Sequence, residues 1–158
     1  MKKTNLVILI CAFICSVFVV ILGVVILYFN HNKLPIGGVS HTIVENEHVF
    51  MTIKEGTLTK TGATLMLKNN SETDFQYCSD FEIEKMQDGS WHNIAIMLDF
   101  VCNPNNLKVG ETKEFNLDWE NTYGKLPKGT YRIIKTIYKD YPNDPMNKFN
   151  SAVEFTIK

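Results

Sequence analysis

From Leu6 to Phe29 the chain reads LVILICAFICSVFVVILGVVILYF, 24 consecutive residues without a charged side chain. As a helix, a run of that length spans about 36 Å at about 1.5 Å per residue. The hydrocarbon core of a bilayer is about 30 Å thick, so the run is long enough to cross it with some tilt. Lys2 and Lys3 precede it, and Tyr28 and Phe29 close it. A basic near end predicts that residues 1–5 are cytoplasmic, and aromatic rings at the far end suit the opposite interface. His31 and Lys33 weaken that charge asymmetry only slightly. The expectation is a signal-anchor: one transmembrane helix over 6–29, a single-pass location in the cell membrane, and an extracytoplasmic remainder. The competing reading is a cleaved secretory signal, whose apolar region is usually about 7–15 residues and ends in a small-x-small site. Here the run is longer, and residues 30–38 offer no such site. A lipoprotein signal would need a small residue before Cys11 or Cys15, where the chain has Ile10 and Ile14. Intact mass of the extracted protein separates these readings.

The remaining chain is a different material. The net charge is −1 overall, and setting aside Lys2 and Lys3 leaves −3. That balance lacks the basic footprint of a nucleic-acid binder. Four cysteines in 158 residues are too few for a disulfide-rich miniprotein. Residues 30–46, with Pro35, Gly37 and Gly38 and no periodicity, read as a linker. From 47 to 158 short segments alternate apolar and polar residues. Val49, Met51 and Ile53 do so, as do Ala63, Leu65 and Leu67; Phe81 and Ile83; Phe115, Leu117 and Trp119; and Val153, Phe155 and Ile157. Alternation with period two buries one face of a strand. Turn chemistry separates the segments: Asn69-Asn70-Ser71, Asp88-Gly89, Asn103-Pro104-Asn105, Val109-Gly110 and Pro127-Lys128-Gly129. Asp88-Gly89 between Phe81–Met86 and Trp91–Ile96 predicts a hairpin. Tyr131 to Tyr138 is apolar on both faces in part, so its register stays ambiguous. The fold class is all-β, an antiparallel β-sandwich of about seven strands after one N-terminal helix.

The run DWENTYGKLPKGTYRIIK from Asp118 to Lys135, with MTIKEGTLTKTGATLMLKNN at 51–70 and FEIEKMQDGSW at 81–91, resembles the bacterial immunoglobulin-like domain of small Gram-positive surface proteins. The resemblance covers Val49 to Lys158. Its specific part is Trp119, Tyr123, Gly124, Leu126, Pro127, Gly129, Tyr131 and Arg132. It implies an immunoglobulin-like sandwich, brings no catalytic residues, and belongs to a family whose members are mostly of unknown function. The residues support the same reading on their own. Leu126-Pro127-x-Gly129 turns the chain, and Tyr131 then has the place of a tyrosine whose hydroxyl bonds back to upstream backbone. Ile133 stands where antibody domains carry a cysteine, so that inter-sheet disulfide is absent.

Cys78 and Cys102 are the cysteines outside the apolar run. Outside the cytoplasm two such thiols commonly pair, and a loop of about 25 residues predicts a gain of roughly 3 kcal/mol. Two cysteines without a histidine pair do not make a metal site. His31, His41, His48 and His92 show no metalloprotease spacing and read as exposed. Glu82 and Glu84 share a strand face and read as solvated surface rather than an acid/base pair. Asp140, Asn143 and Asp144 read as a proline-bracketed turn rather than a calcium loop. No nucleotide, cofactor or nucleophile motif occurs. Tyr138, Tyr141 and Phe149, with Trp91, form a candidate binding surface of loop-flanking aromatics.

These observations predict a non-enzymatic binding module on a membrane anchor, without metal or cofactor, serving a protein or cell-envelope partner. The alternative is an accessory subunit of a membrane complex acting through its helix. Cys11, Cys15, Ser16 and Gly23 are the small or polar residues such packing would use.

Overall fold

A computed structural model describes residues 2–31, 34–44, 47–96 and 101–158. The chain divides into two compact units, up to Lys33 and from Leu34 onward. The first is one helix, α1 (Lys2–His31). Its side chains are described for residues 13–28, where most are exposed apolar groups. Among the described residues no helix is long and apolar enough to cross a membrane. The span expected over 6–29 is therefore not a finding of the fold; the side chains of Leu6 to Ala12 lie outside the described residues.

The second unit is an antiparallel β-sandwich. Its strands are β1 (Ile36–Val39), β2 (Val49–Ile53), β3 (Gly62–Asn69), β4 (Phe75–Tyr77), β5 (Glu82–Gln87), β6 (Ser90–Ile94), β7 (Asn105–Leu107), β8 (Thr112–Asp118), β9 (Gly129–Asp140) and β10 (Asp144–Ile157). A short helix, α2 (Glu120–Tyr123), lies between β8 and β9. The smaller sheet runs β2-β3-β8, and the larger β1-β6-β5-β9-β4-β7 with β10 on β9.

Alternation does the folding work. Val49 and Met51 of β2, Ala63, Leu65 and Leu67 of β3, and Leu117 of β8 are buried against Ile83, Tyr131, Ile133, Ile137 and Phe155 of the larger sheet. Burial of such side chains is worth roughly 1.5–3 kcal/mol each. In β3 a side chain at Gly62 would put its Cβ 2.5 Å from Leu117 O, so only glycine lets β8 approach there. The Asp88-Gly89 hairpin joins β5 to β6, with Gln87 opposite Ser90 and φ of 51° and 78° at the two turn residues. Positive φ at both positions matches the strand twist of a two-residue turn.

Ten strands are present among the described residues, against about seven expected. Two of the extra ones are the short strands β1 and β7. The third arises because β4 and β5 are one strand broken in the middle. Tyr77 pairs with Ile137 and Glu82 with Ile134, so residues 78–81 face only Lys135 and Thr136 of β9. Two additional residues at that point are a bulge that interrupts the ladder.

The stretch 30–46 is not simply a linker. Within it β1 pairs with the edge of β6, and Leu34 and Ile36 pack on the core. The open edge of β6 offers unpaired backbone groups that β1 satisfies. Gly37, read as loop flexibility, is a close approach: a Cβ there would meet Asn93 O at 3.2 Å.

Candidate functional site

The motif between β8 and β9 is a brace. Trp119 is fully buried, stacks near Phe155 at 5.7 Å, and donates its indole N–H to Lys60 O at 2.9 Å. Leu126 N–H donates to the same carbonyl. Gly124 ends α2 with φ of 70°. Tyr123 Oη accepts from Ile83 N–H at 3.0 Å, and burial pushes its phenol up to about 12. Tyr131 stacks on Phe155 at 5.6 Å and donates its hydroxyl to Pro127 O at 2.8 Å. Burial likewise raises the Tyr131 phenol to about 12. These groups spend their polar atoms on backbone, which leaves none aimed at a ligand.

Arg132, the last residue of the motif, points to the outer face of the larger sheet. There its Nε donates to Glu84 at 2.6 Å and its guanidinium lies 4.7 Å from the Trp91 ring centre. Glu84 is 1% exposed, which corrects the solvated reading. The reason is the segment after β1, which crosses this face. Ser40 Oγ donates to Glu84, Arg132 donates to Thr42 O, and Asn150 of β10 donates to Ile43 O. Glu82 on the same face keeps much of its surface in solvent, but desolvation of its carboxyl by neighbouring atoms, with the nearby Glu84 and Asp80 charges, raises its pKa. One carboxylate of the two is thus an ion-pair partner.

At the break between β4 and β5, Lys135 turns inward and is 1% exposed. Its Nζ donates to Cys78 O at 2.7 Å and to Asp80 O at 2.8 Å. The stacked rings of Tyr77 and Phe115 flank it at 5.5 and 5.3 Å. Burial lowers its amine to about 8, and the Asp80 charge opposes that shift. Cys78 is joined to Cys102, with the two Cα atoms 5.1 Å apart.

The expected aromatic surface separates onto two faces. Tyr138 pairs with Gln76 and Lys148 and lies 5.0 Å from Tyr141 on the outer face. Phe149 pairs with Ile137 on the inner face and meets Phe75 edge-on at 5.1 Å. Neighbouring residues on a strand alternate sides, so nearness in sequence is no guide to a shared patch. The structure instead forms a cleft of about 510 Å³ around Phe149, Phe75 and His48, rimmed by Glu72, Lys139 and Asn147. It gathers the start of β2, the β3–β4 loop and the turn end of β9–β10. Two aromatic rings among polar and charged side chains in a cleft of that size make it a candidate ligand site. His48, Phe75, Glu72 and Lys139 are far apart in sequence, and no spacing signal connects them. At the hairpin beyond the cleft, Asn143 donates to Asp140 at 3.0 Å, and among the described residues no cluster of three metal-ligating side chains occurs. The side chains of Cys11 and His31 lie outside what the structure describes. Ser16 donates to Phe13 O within α1.

No curated protein and no solved structure matches the sequence. A family model does, that of the bacterial Ig-like domain, over residues 45–156. The match takes in both sheets and the Trp119–Arg132 brace but not β1 or the crossing segment that follows β1. The chain therefore belongs to the bacterial Ig-like domain family.

Proposed function

We propose that the chain is a single-pass membrane protein presenting one non-enzymatic binding domain outside the cell. The contact would be made through the cleft around His48, Phe75 and Phe149. The anchor reading is supported by the uncharged run Leu6–Phe29 and the basic pair before it. The binding reading is carried by one observation: strand ends and a loop at one end of the sandwich bring Phe75 and Phe149 together with a lysine, a glutamate and an asparagine in one cleft. Rigid scaffolds commonly carry recognition on such loops. The opposite charges of Lys139 and Glu72 suit a polar protein or cell-envelope partner rather than a lipid tail.

The test is a photo-crosslinking residue placed at Glu72 or Asn147 in intact cells, with Lys125, beyond the other end of β9, as the control. A discrete adduct from the cleft positions alone is expected. Adducts from both ends, or from neither, overturn the cleft reading. A crosslinker at Ser16 that alone captures a partner favours a subunit acting through its helix. Release of the protein from membranes by alkaline extraction would overturn the anchor.

A further inference from the structure

Lys135 is a charged side chain between two sheets, and three observations say what it is for. The break at 78–81 faces the Cys78 and Asp80 carbonyls to its amine instead of to a neighbouring strand. The same Cys78 is tied to Cys102, three residues before the start of β7. That strand pairs with β4, so the disulfide closes the break from the side opposite β9. Ser151 of β10 pairs with Lys135 from the side away from the break, and the rings of Tyr77 on β4 and Phe115 on β8 flank its amine.

We propose that the Cys78–Cys102 bond gates the Lys135 amine: oxidised, it holds the break shut over the ammonium; reduced, it lets residues 78–81 swing away and water reach it. This goes beyond the binding reading and does not depend on it. The chemistry is thiol–disulfide exchange with a dithiol reductant. A thiolate attacks the sulfur of Cys102, which is only half-buried, whereas Cys78 is 1% exposed. The Cys78 thiolate leaves and takes up a proton; the second thiol of the reagent then attacks the reagent sulfur of the mixed disulfide, closing the reagent's ring and expelling the Cys102 thiolate, which is protonated in turn. Two electrons pass to the chain and the dithiol becomes a disulfide. Hydration favours a buried ammonium leaving the space between the sheets, so the amine itself favours opening once the tether is cut. The proposal is therefore a local opening that exposes a previously unreactive amine.

The experiment is amine acylation of the full chain in detergent micelles, read residue by residue by peptide mass. Without reductant, Lys135 should acylate at least ten-fold more slowly than exposed Lys125. With a dithiol, its rate should rise at least ten-fold while that of Lys125 is unchanged. Amide exchange in β3 and β8 should stay slow throughout. Cys102→Ser should give the fast Lys135 rate without reductant. The proposal is overturned if Lys135 reacts at one rate in both states. It is also overturned if its exposure comes with loss of protection in β3 and β8, because the bond is then a staple of the whole domain. Free maleimide labelling of both cysteines before reduction overturns it too.

Discussion

Tyr131 and Lys135 stand four residues apart on the inner face of β9, and neither is more than 1% exposed. Tyr131 sits where the ladder is regular on both sides, opposite Lys85 and Phe155. There the sandwich presents only side chains, so its ring packs and its hydroxyl reaches out of the core to Pro127 O. Lys135 sits where β4 gives way to β5, and the irregular backbone delivers two carbonyls inward. Depth is the same at both places; what differs is whether the opposite strand is whole. A buried polar group is tolerated where backbone irregularity supplies its partners.

Truncation is the harshest way to break that comparison. Lys135→Ala should destabilise the domain by about 4 kcal/mol, because it empties volume and leaves two buried carbonyls without a donor. Lys135→Met keeps the volume and should lose only about half as much. Chemical denaturation of the two variants measures the difference: equal losses would mean that emptying the volume costs nothing, and almost no loss in Lys135→Met would mean that the carbonyls find other donors. Glu84→Ala tests the outer face in the same way. It strands Arg132 beneath the segment that crosses β5 and β9, and should lose about 3 kcal/mol, as expected for one half of a buried pair. Wild-type stability in Glu84→Ala would mean that the crossing segment lifts off and lets water in.

How far each place was legible in the sequence follows the same division. The regular region was readable. Val49–Ile53, Ala63–Leu67 and Phe115–Trp119 alternate plainly, and the Leu-Pro-x-Gly-x-Tyr spacing carries the brace with it. The broken region was not, because a break appears only once pairing partners are known. In YRIIKTIY a lysine inward and an isoleucine outward look the same as the reverse, so the register at Lys135 could not be chosen. Glu84 was misplaced for a related reason. Its strand face is wet by pattern, but residues 40–43 roof it, and Pro35, Gly37 and Gly38 conceal that segment as loop. The cleft was illegible throughout, since Phe75, His48 and Phe149 meet only after both sheets have closed.

Titration sharpens the contrast because the two side chains respond in opposite directions. The Lys135 amine is lowered to about 8 in the fold and returns to about 10.5 on unfolding. Between those values the unfolded chain binds the extra proton, so stability rises with pH. From pH 8 to 10 the gain is about 2–3 kcal/mol at roughly 1.4 kcal/mol per unit. The Tyr131 and Tyr123 phenols are raised to about 12, from about 10 when unfolded. Their stabilisation is whole below pH 10 and is lost as pH climbs toward 12. Stability should therefore peak near pH 10 in urea unfolding across that range. Lys135→Met should flatten the rising limb and leave the falling one. A rising limb that survives the substitution would assign it to some other group.

The smallest expected effect is the most selective. Tyr131→Phe removes one hydroxyl and keeps the ring against Phe155, so packing is untouched. What it takes away is the donor to Pro127 O, and an acceptor left without its partner costs about 1–2 kcal/mol. The loss should appear as a lower denaturation midpoint with an unchanged slope, since the area exposed on unfolding is the same. The falling limb above pH 10 should also shrink to the part owed to Tyr123. Because Tyr131 and Lys135 contact different partners, combining Tyr131→Phe with Lys135→Met should give the sum of the separate losses. A combined loss well short of that sum would mean that the brace and the break share one cooperative element of β9, and that the regular and irregular halves of the strand are not independent.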